Sequence, residues 1–194
     1  MTETNSDLFE QKIKVSTVAY FARTYIKPTN ITKNTIFINT SAHNSFMRKY
    51  LVNATYCIYL TGIRQFYSDE SIMTIKEVVD EIKHELSIKP DVIVVTKKKT
   101  KIHGKLDPLS STDSAMVQTA KAMECVLVTD DQKLIKVACQ NKVHAIDTPH
   151  FIHLLVIEGK WPEEKALGTL EQLRGVYNRE HIISKVIKDI HEWR

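Results

Sequence analysis

Short apolar runs rich in β-branched residues alternate with amphipathic helical segments between residues 71 and 158. Strands that alternate with helices at such short intervals are typical of βαβ units, whose strands form a parallel sheet. We therefore predict an α/β fold, in which a three-layer α/β/α domain is built around a mostly parallel central sheet of four to five strands. The expected strands are Ser71–Thr74, Asp91–Thr96, Cys125–Thr129 and Val143–Ile146, and the expected helices are Glu77–Leu86, Asp113–Met123, Asp130–Gln140 and Thr148–Glu158.

The strand expected at Asp91–Thr96 has the clearest pattern of the four. Its sequence, DVIVVT, is a continuous apolar run without polar alternation. A run of this kind suits a strand in a sheet that is covered on both faces. We therefore expect its side chains to be buried on both sides of the sheet.

The two ends of the chain are assigned more broadly. Asn34–Ile38 (NTIFI) predicts a first buried strand, and Ala42–Phe66 has helical content with a break near Asn53 or Gly62. We divide the chain into an N-terminal extension at 1–33, a domain at 34–157, and two C-terminal helices within 158–194 that pack on that domain.

Composition indicates a globular protein without a membrane span. Hydrophobic residues make up 43% of the 194 residues and charged residues 26%, a balance that excludes wholesale disorder. No apolar run approaches the roughly 18 residues that a membrane helix requires, and the polar N-terminus is unlike a secretory signal. The three cysteines are scattered without metal-ligand spacing, as reduced thiols are. We therefore expect a cytoplasmic location.

Positive charge is concentrated in the first half of the chain. Lys and Arg number 27 against 23 Asp and Glu, a net charge of +4. Residues 1–106 carry 16 basic and 10 acidic side chains, whereas residues 107–194 carry 11 and 13. Five lysines lie between Lys97 and Lys105. This asymmetry permits a polyanionic partner without requiring one.

Polar and acidic residues follow most of the expected strands, at the end where parallel α/β sheets carry their functional groups. Asn39 follows the first strand, Glu81 lies on the helix after the second, Asp113 begins the helix after the third, and Asp130 and Asp131 follow the fourth. Singly, each acid is ordinary, because Asp is favoured in a first helical turn and Glu on an exposed helix face.

Together, these acids have a different interpretation. Carboxylates that converge at one edge repel one another unless a cation neutralises them. Hard divalent cations such as Mg²⁺ are held by one or two carboxylates with water, and they can activate water for phosphodiester hydrolysis. The pattern therefore predicts a divalent-cation site at the carboxyl edge of the sheet.

Five segments occur in an order that resembles a known family. They are IFINTSA (Ile36–Ala42), EVVDEI (Glu77–Ile82), STDSAMVQTA (Ser111–Ala120), LVTDDQKLIKVA (Leu127–Ala138) and VHAIDTPHFIHLL (Val143–Leu155). Together they resemble the PIN domain, a family of Mg²⁺- or Mn²⁺-dependent ribonucleases that includes toxin–antitoxin toxins and ribosomal-RNA processing enzymes. The LVTDD form is most similar to the ribosome-assembly branch, which often carries a zinc ribbon; this chain has no Cys quartet to build one. The resemblance implies a PIN-like fold over residues 34–157.

The resemblance also implies a set of site residues. The second, third and fourth acids of the family match Glu81, Asp113 and Asp131, and Asp130 stands where many members have Asn. The first acid of the family, the Asp of DTSA, falls on Asn39, which keeps a carbonyl oxygen but lacks the charge. Asn39, Glu81, Asp113 and Asp131 are the implied catalytic residues, and with Asp130 they are the implied ligands of Mg²⁺ or Mn²⁺.

The implied function is a metal-dependent endoribonuclease that hydrolyses RNA phosphodiester bonds and is weakened or inactive because of Asn39. The alternative is a catalytically reduced PIN domain that acts as an RNA- or protein-binding module. Asn39 is either natural or an engineered Asp→Asn change, and the sequence leaves both explanations open.

The lysine-rich segment supplies the expected RNA contacts, since ammonium groups can bind phosphates as point charges. An ordinary solvated loop is the alternative, held with equal weight. RNA is the implied partner; an antitoxin-like or ribosome-assembly protein and a homodimer stay open, and no membrane contact is expected. The expected RNA-binding residues are Lys97, Lys98, Lys99, Lys101 and Lys105.

Three other classes of protein fit the sequence less well. A receiver domain needs an acidic pair after the first strand and an Asp after the third, where this chain has Asn39 and Thr96. A Rossmann enzyme needs a GxGxxG loop, which is missing. The eight histidines have no zinc-hydrolase spacing.

Overall fold

The computed structural model describes residues 48–62, 67, 71–86, 92–101 and 109–193. All of them belong to one compact unit, Phe46–Arg194. Four sequence predictions lie outside the described residues: the N-terminal extension, the strand at Asn34–Ile38, Asn39 and Lys105.

The core formed by the described residues is a sheet of five strands in the order β3-β2-β1-β4-β5. Every neighbouring pair in this sheet is parallel. The predicted α/β fold with a parallel central sheet is therefore confirmed. The strands are β1 (Tyr50–Val52), β2 (Ile72–Ile75), β3 (Ile93–Val95), β4 (Val126–Val128) and β5 (Ala145–Ile146).

Seven helices are present in the described residues, and they cover both faces of the sheet. They are α1 (Ala54–Gly62), α2 (Lys76–Leu86), α3 (Ser111–Met123), α4 (Gln132–Gln140), α5 (Thr148–Ile157), α6 (Glu163–Arg174) and α7 (Glu180–Glu192). Because parallel crossovers are right-handed, the reversal of chain direction after β3 puts α1 and α2 on one face and α3 and α4 on the other. In agreement, α1 packs against α2 and α3 against α4. The result is the predicted three-layer α/β/α arrangement.

The central strand β1 corrects the sequence prediction. The segment around Tyr50–Val52 was expected to be helical, but these residues form a strand between β2 and β4, and all three are fully buried. A three-residue strand is too short to show a period of its own, and it runs directly into a helix. The break expected near Asn53 is where this strand ends and α1 begins.

Strand β3 corrects a second expectation. It is the edge strand of the described sheet, and its only partner there is β2. Ile93 and Val94 are each 46% exposed, although both were expected to be buried. Consecutive residues of a strand point to opposite faces, so the strand is open to solvent on both sides. An apolar run predicts that a strand forms, but it does not indicate whether that strand lies at the centre or at the edge of the sheet.

Helix α5 is buried almost all round, since its sequence TPHFIHLLVI is apolar on every face. Phe151 makes edge-on ring contacts with Tyr50 of β1 and Tyr56 of α1, with centroids 4.8 and 5.3 Å apart. These contacts put α5 on the α1 side of the sheet. Helices α6 and α7 pack on α5 in turn. Within the described part of the chain, no helix combines the length and the apolar character needed to cross a membrane.

Candidate functional site at the carboxyl edge of the sheet

The strand order locates a candidate site before any side chain is considered. From β1 the chain moves to β2 and β3 on one side, and it later returns to β4 and β5 on the other. Ligands of parallel α/β sheets bind outside the carboxyl ends of the strands where this direction changes. In this fold the change lies between β1, which Asn53 follows, and β4, which is followed by Thr129, Asp130 and Asp131.

Asn53 is buried between these two strands, with 7% of its surface exposed. Its amide Nδ2 donates a hydrogen bond of 2.6 Å to Thr129 Oγ1 and a longer one of 3.4 Å to Thr55 Oγ1. Its Oδ1 accepts from the backbone N–H of Tyr56 at 3.3 Å, so Asn53 also caps α1. Both ends of the amide are therefore engaged. The sequence predictions named Asn39 and missed Asn53.

Asp131 is exposed and caps α4. Its Oδ1 accepts from the backbone N–H groups of Lys133 at 2.7 Å and Leu134 at 3.4 Å. Its own N–H donates to Thr129 Oγ1 at 3.3 Å, so the Thr129 hydroxyl links Asp131 to Asn53. The sequence placed this acid correctly at the end of β4. The structure adds that it stabilises a helix terminus.

Asp113 and Glu81 lie where the sequence predicted, on α3 and α2. Asp113 is half-buried in the first turn of α3, and its N–H donates to Ser110 Oγ at 3.0 Å. The Ser110 hydroxyl donates back to Asp113 Oδ2 at 2.9 Å. This reciprocal pair satisfies a free N–H group of the helix terminus. Glu81 is exposed on α2.

Asp130 points away from its neighbour Asp131 and into the protein. Its carboxylate accepts hydrogen bonds from the Thr148 N–H at 2.9 Å, the Thr148 hydroxyl at 2.6 Å and the Tyr177 hydroxyl at 3.0 Å. The side chain is only 5% exposed. Burial raises the pKa of Asp130, an effect that the bonds from Thr148 and Tyr177 oppose. Asp130 therefore holds the ends of β4 and β5 together.

A second buried acid, Asp147, lies beside Asp130 at the end of β5. It caps α5 and contacts His150 Nδ1 at 2.5 Å. Burial acts to raise the pKa of Asp147, but the hydrogen bond and charge of His150, together with Arg179, outweigh it and lower the pKa. Arg179 Nη1 lies 3.9 Å from Asp147 Oδ2, and Arg179 Nη2 lies 3.7 Å from Asp130 Oδ1. One arginine thus bridges both acids.

The sequence predictions missed Asp147, Tyr177 and Arg179. Asp147 could have been found, because it precedes the Thr-Pro start of a helix and directly follows an expected strand. Tyr177 and Arg179 had no local signal. They lie between two helices near the C-terminus, and they reach the sheet only after the chain folds back on itself.

The lysine-rich segment leaves β3 along the surface. Lys97 Nζ pairs with Glu77 at 2.5 Å, and this contact lowers the pKa of Glu77. The backbone of the segment is tied to α3, since Lys98 N–H donates to Thr119 Oγ1 at 3.0 Å and Lys121 Nζ donates to the Lys101 carbonyl at 2.9 Å. The residues Lys97, Lys98, Lys99 and Lys101 are all exposed.

The oxygen donors at this edge have the right chemistry for a hard cation. In the ranges that the structure describes, no three His, Cys, Asp or Glu side chains are placed so that they could hold a metal ion. The Asn53 oxygen already accepts the Tyr56 N–H. Convergence of Glu81, Asp113 and Asp131 around one ion stays a prediction.

The parallel sheet, its change of direction and the flanking helices define a three-layer α/β/α domain. No family model matches the chain, and no curated protein matches it. Among solved structures it is similar to a PilT N-terminus domain protein from the hyperthermophilic archaeon Sulfolobus solfataricus P2. The two share 19% sequence identity with a TM-score of 0.38, and the match covers 63% of this chain and 93% of that one.

Proposed function

We propose that this chain is a PIN-type domain that binds RNA. The type is that of the metal-dependent ribonucleases, and in this chain Asn53 weakens both cation binding and RNA hydrolysis. The observation that carries the proposal is the Asn53 amide itself. It lies where the sheet changes direction, and it is fixed by Thr129 and Tyr56. An amide at this position adds no negative charge, and its Nδ2 is a donor that cannot bind a cation.

The first-acid position is accordingly reassigned from Asn39 to Asn53. The resemblance requires a residue at the carboxyl end of the first strand of the sheet and directly before a helix. Among the described residues Asn53 satisfies both conditions, since it follows β1, the first strand described, and caps α1. Both candidates are Asn, so the expectation of a weakened site is the same for either.

RNA binding is assigned to the exposed lysines that follow β3. Their ammonium groups can bind phosphates without base specificity. Lys98, Lys99 and Lys101 are exposed, whereas Lys97 shares its charge with Glu77.

Slow RNA hydrolysis is the second candidate function, and the retained acids favour it. Glu81, Asp113 and Asp131 still follow the strands as the resemblance requires. A bound divalent cation would supply an activated water. The chain would contribute the carboxylates that attract the cation and the lysines that hold the substrate.

The test is to replace Asn53 by Asp and to compare it with Asn39→Asp as the matched control. Asp is nearly the same size as Asn, and the Thr129 hydroxyl can turn to donate to it. We expect Asn53→Asp to bind Mn²⁺ more tightly in calorimetry and to cleave an end-labelled RNA until chelator is added. A further Asp113→Asn change should abolish the cleavage.

Each outcome has a defined meaning. A gain in Asn39→Asp but not in Asn53→Asp would return the first position to Asn39. No gain in either variant would contradict the weakened-ribonuclease proposal. If the native chain also fails to retard RNA in a mobility assay at low salt, the RNA-binding part is wrong as well.

A further inference from the structure

Arg179 precedes α7 and reaches from the C-terminal helices to the carboxyl edge of the sheet. Its Nη2 donates to the Asp130 backbone carbonyl at 3.0 Å and to the Tyr177 hydroxyl at 2.5 Å. Its guanidinium also lies 5.0 Å from the Tyr177 ring centre. The arginine is thus held by an aromatic ring, a hydroxyl and a backbone carbonyl, besides the two acids that it bridges.

The carbonyl that Arg179 binds belongs to the peptide group joining Asp130 to Asp131. The N–H of that same peptide group donates to Thr129 Oγ1 at 3.3 Å. Thr129 Oγ1 also accepts the Asn53 Nδ2 bond of 2.6 Å. A planar peptide group cannot turn its carbonyl without turning its N–H. Holding the carbonyl therefore holds the N–H that points at Thr129.

We propose that Arg179 is a positioning residue for the candidate site, which it orients through the Asp130–Asp131 peptide group, Thr129 and Asn53. The inference rests on the proposed function only in taking this edge as the site. The C-terminal helices then act as part of the site. The Arg179 bond also polarises the peptide group that accepts it, so loss of this bond weakens the Asp131 N–H bond to Thr129.

A purely structural role for Arg179 makes a different prediction. Asp130 and Asp147 are 5% and 7% exposed, and two buried carboxylates need a nearby cation. If Arg179 only neutralises them, its replacement lowers stability and leaves Asn53 and Asp131 as they were. A change in the NMR signals of Asn53 and Asp131 therefore distinguishes the positioning role from charge neutralisation. A loss of stability alone does not distinguish them.

The first experiment introduces Arg179→Lys into the 194-residue chain. Lysine keeps the positive charge but cannot make all the contacts of the guanidinium group at once. We expect the Asp131 amide signal to move in ¹H–¹⁵N NMR spectra and the Asn53 side-chain NH₂ to exchange with solvent about tenfold faster. The control is Arg174→Lys on α6, which pairs with Glu171 and Glu180 at the surface. It should leave both signals unchanged.

The second experiment approaches from the other end, in case Arg179→Lys does not fold. Thr129→Ser keeps the hydroxyl and Thr129→Val removes it. If the chain of bonds is real, Thr129→Val shifts the Arg179 side-chain Nε–H signal and leaves the Arg174 Nε–H signal close to its native position. In Thr129→Ser, both signals should stay close to native.

Unmoved Asn53 and Asp131 signals in folded Arg179→Lys, or an unmoved Arg179 signal in Thr129→Val, would overturn the positioning role. Neither readout involves RNA or metal. A failure here therefore leaves the Asn53 proposal standing, and a failure of Asn53→Asp to bind Mn²⁺ leaves this one standing.

Discussion

The Asn53 amide donates a 2.6 Å hydrogen bond to the Thr129 hydroxyl across the gap between β1 and β4. Both residues are buried, and they are 76 positions apart in the chain. The bond joins the two strands at the point where the sheet changes direction. It gives the centre of the carboxyl edge a neutral polar pair, and Thr129 Oγ1 links this pair to the backbone N–H of exposed Asp131.

Removing the acceptor of this bond should destabilise the protein. Thr129→Val keeps the shape of the side chain but leaves the buried Asn53 NH₂ without its shorter bond. We expect a loss of about 1–3 kcal/mol in the free energy of unfolding, measured by urea denaturation. Thr129→Ser, which retains the hydroxyl, should lose much less. Equal losses in the two variants would show that packing of the methyl group matters and the bond does not.

Conversion to Asn should lower the stability of the protein at Asp130 much more than at the adjacent Asp131. Asp130→Asn puts an NH₂ group among the donors of Thr148 and Tyr177, so we expect it to lose about 1–3 kcal/mol of stability. Asp131→Asn keeps a good helix cap and should change stability by no more than about 0.5 kcal/mol.

For cation binding, the order of the two substitutions is reversed, and Asp131→Asn should have the larger effect. In the Asn53→Asp background, Asp131→Asn should weaken Mn²⁺ binding in calorimetry, because it removes an exposed carboxylate. Asp130→Asn should leave the binding constant nearly unchanged, since its side chain is directed at Thr148 and Tyr177. If Asp130→Asn strongly weakens Mn²⁺ binding and Asp131→Asn does not, Asp130 is the cation ligand of the two.

The lysine-rich segment should determine how RNA binding depends on salt. Replacing four lysines by Ala should weaken RNA binding and reduce the slope of log K against log salt by about 2–3, with the smallest share from the paired Lys97. The measurement is fluorescence anisotropy across a salt series. The four replaced residues are Lys97, Lys98, Lys99 and Lys101.

A charge-matched variant separates a local contact from a general effect of net charge. It replaces four exposed lysines on helices α2, α4 and α7. This variant should retain most of the native slope of log K against log salt. If both variants lose the same slope, binding depends on total charge and not on this segment. The control lysines are Lys83, Lys136, Lys185 and Lys188.

His153 on α5 should make the protein less stable in mild acid. Burial, and after it the neighbouring His150, lowers the pKa of His153 to about 4. The unfolded chain takes up this proton near pH 6.5. Between these values the unfolded state binds more protons, so stability falls as the pH decreases from about 6.5 to 4, by ~3 kcal/mol in all.

The measurement is urea denaturation at several pH values between 7 and 4.5. His153→Phe should flatten the dependence, and replacement of the exposed His181 by Gln should leave it as in the native chain. Asp147, with its lowered pKa, loses its contribution only at still lower pH. A dependence unchanged in His153→Phe would assign the acid sensitivity to another group.

Local pattern was enough to predict much of the fold. The apolar runs at Ile72–Ile75, Val126–Val128 and Ala145–Ile146 are strands, and the helices after them begin at polar residues, as the sequence indicated. Asp113 and Asp131 were placed in this way, because the preference of Asp for a helix start is a property of neighbouring residues. The alternation of these strands and helices at short intervals then predicted the parallel sheet.

Position within the sheet was decided only by the tertiary structure. The sequence could not tell that Tyr50–Val52 forms the central strand or that Ile93–Val95 lies at the edge, because strand order depends on contacts between distant segments. The position of Asn53 at the end of the central strand was for the same reason not predicted, and the sequence prediction for Asn39 lies outside the described residues.

The direction of each acid was likewise beyond the sequence. Asp130 and Asp131 are neighbours of the same type, yet one is buried against Thr148, Tyr177 and Arg179 and the other is exposed. Local sequence determined that both would follow a strand and precede a helix, since that depends on hydrogen bonds within a few residues. Which of them faces solvent depends on a C-terminal arginine 49 positions away, because a buried charge is stable only where the folded chain supplies its partners.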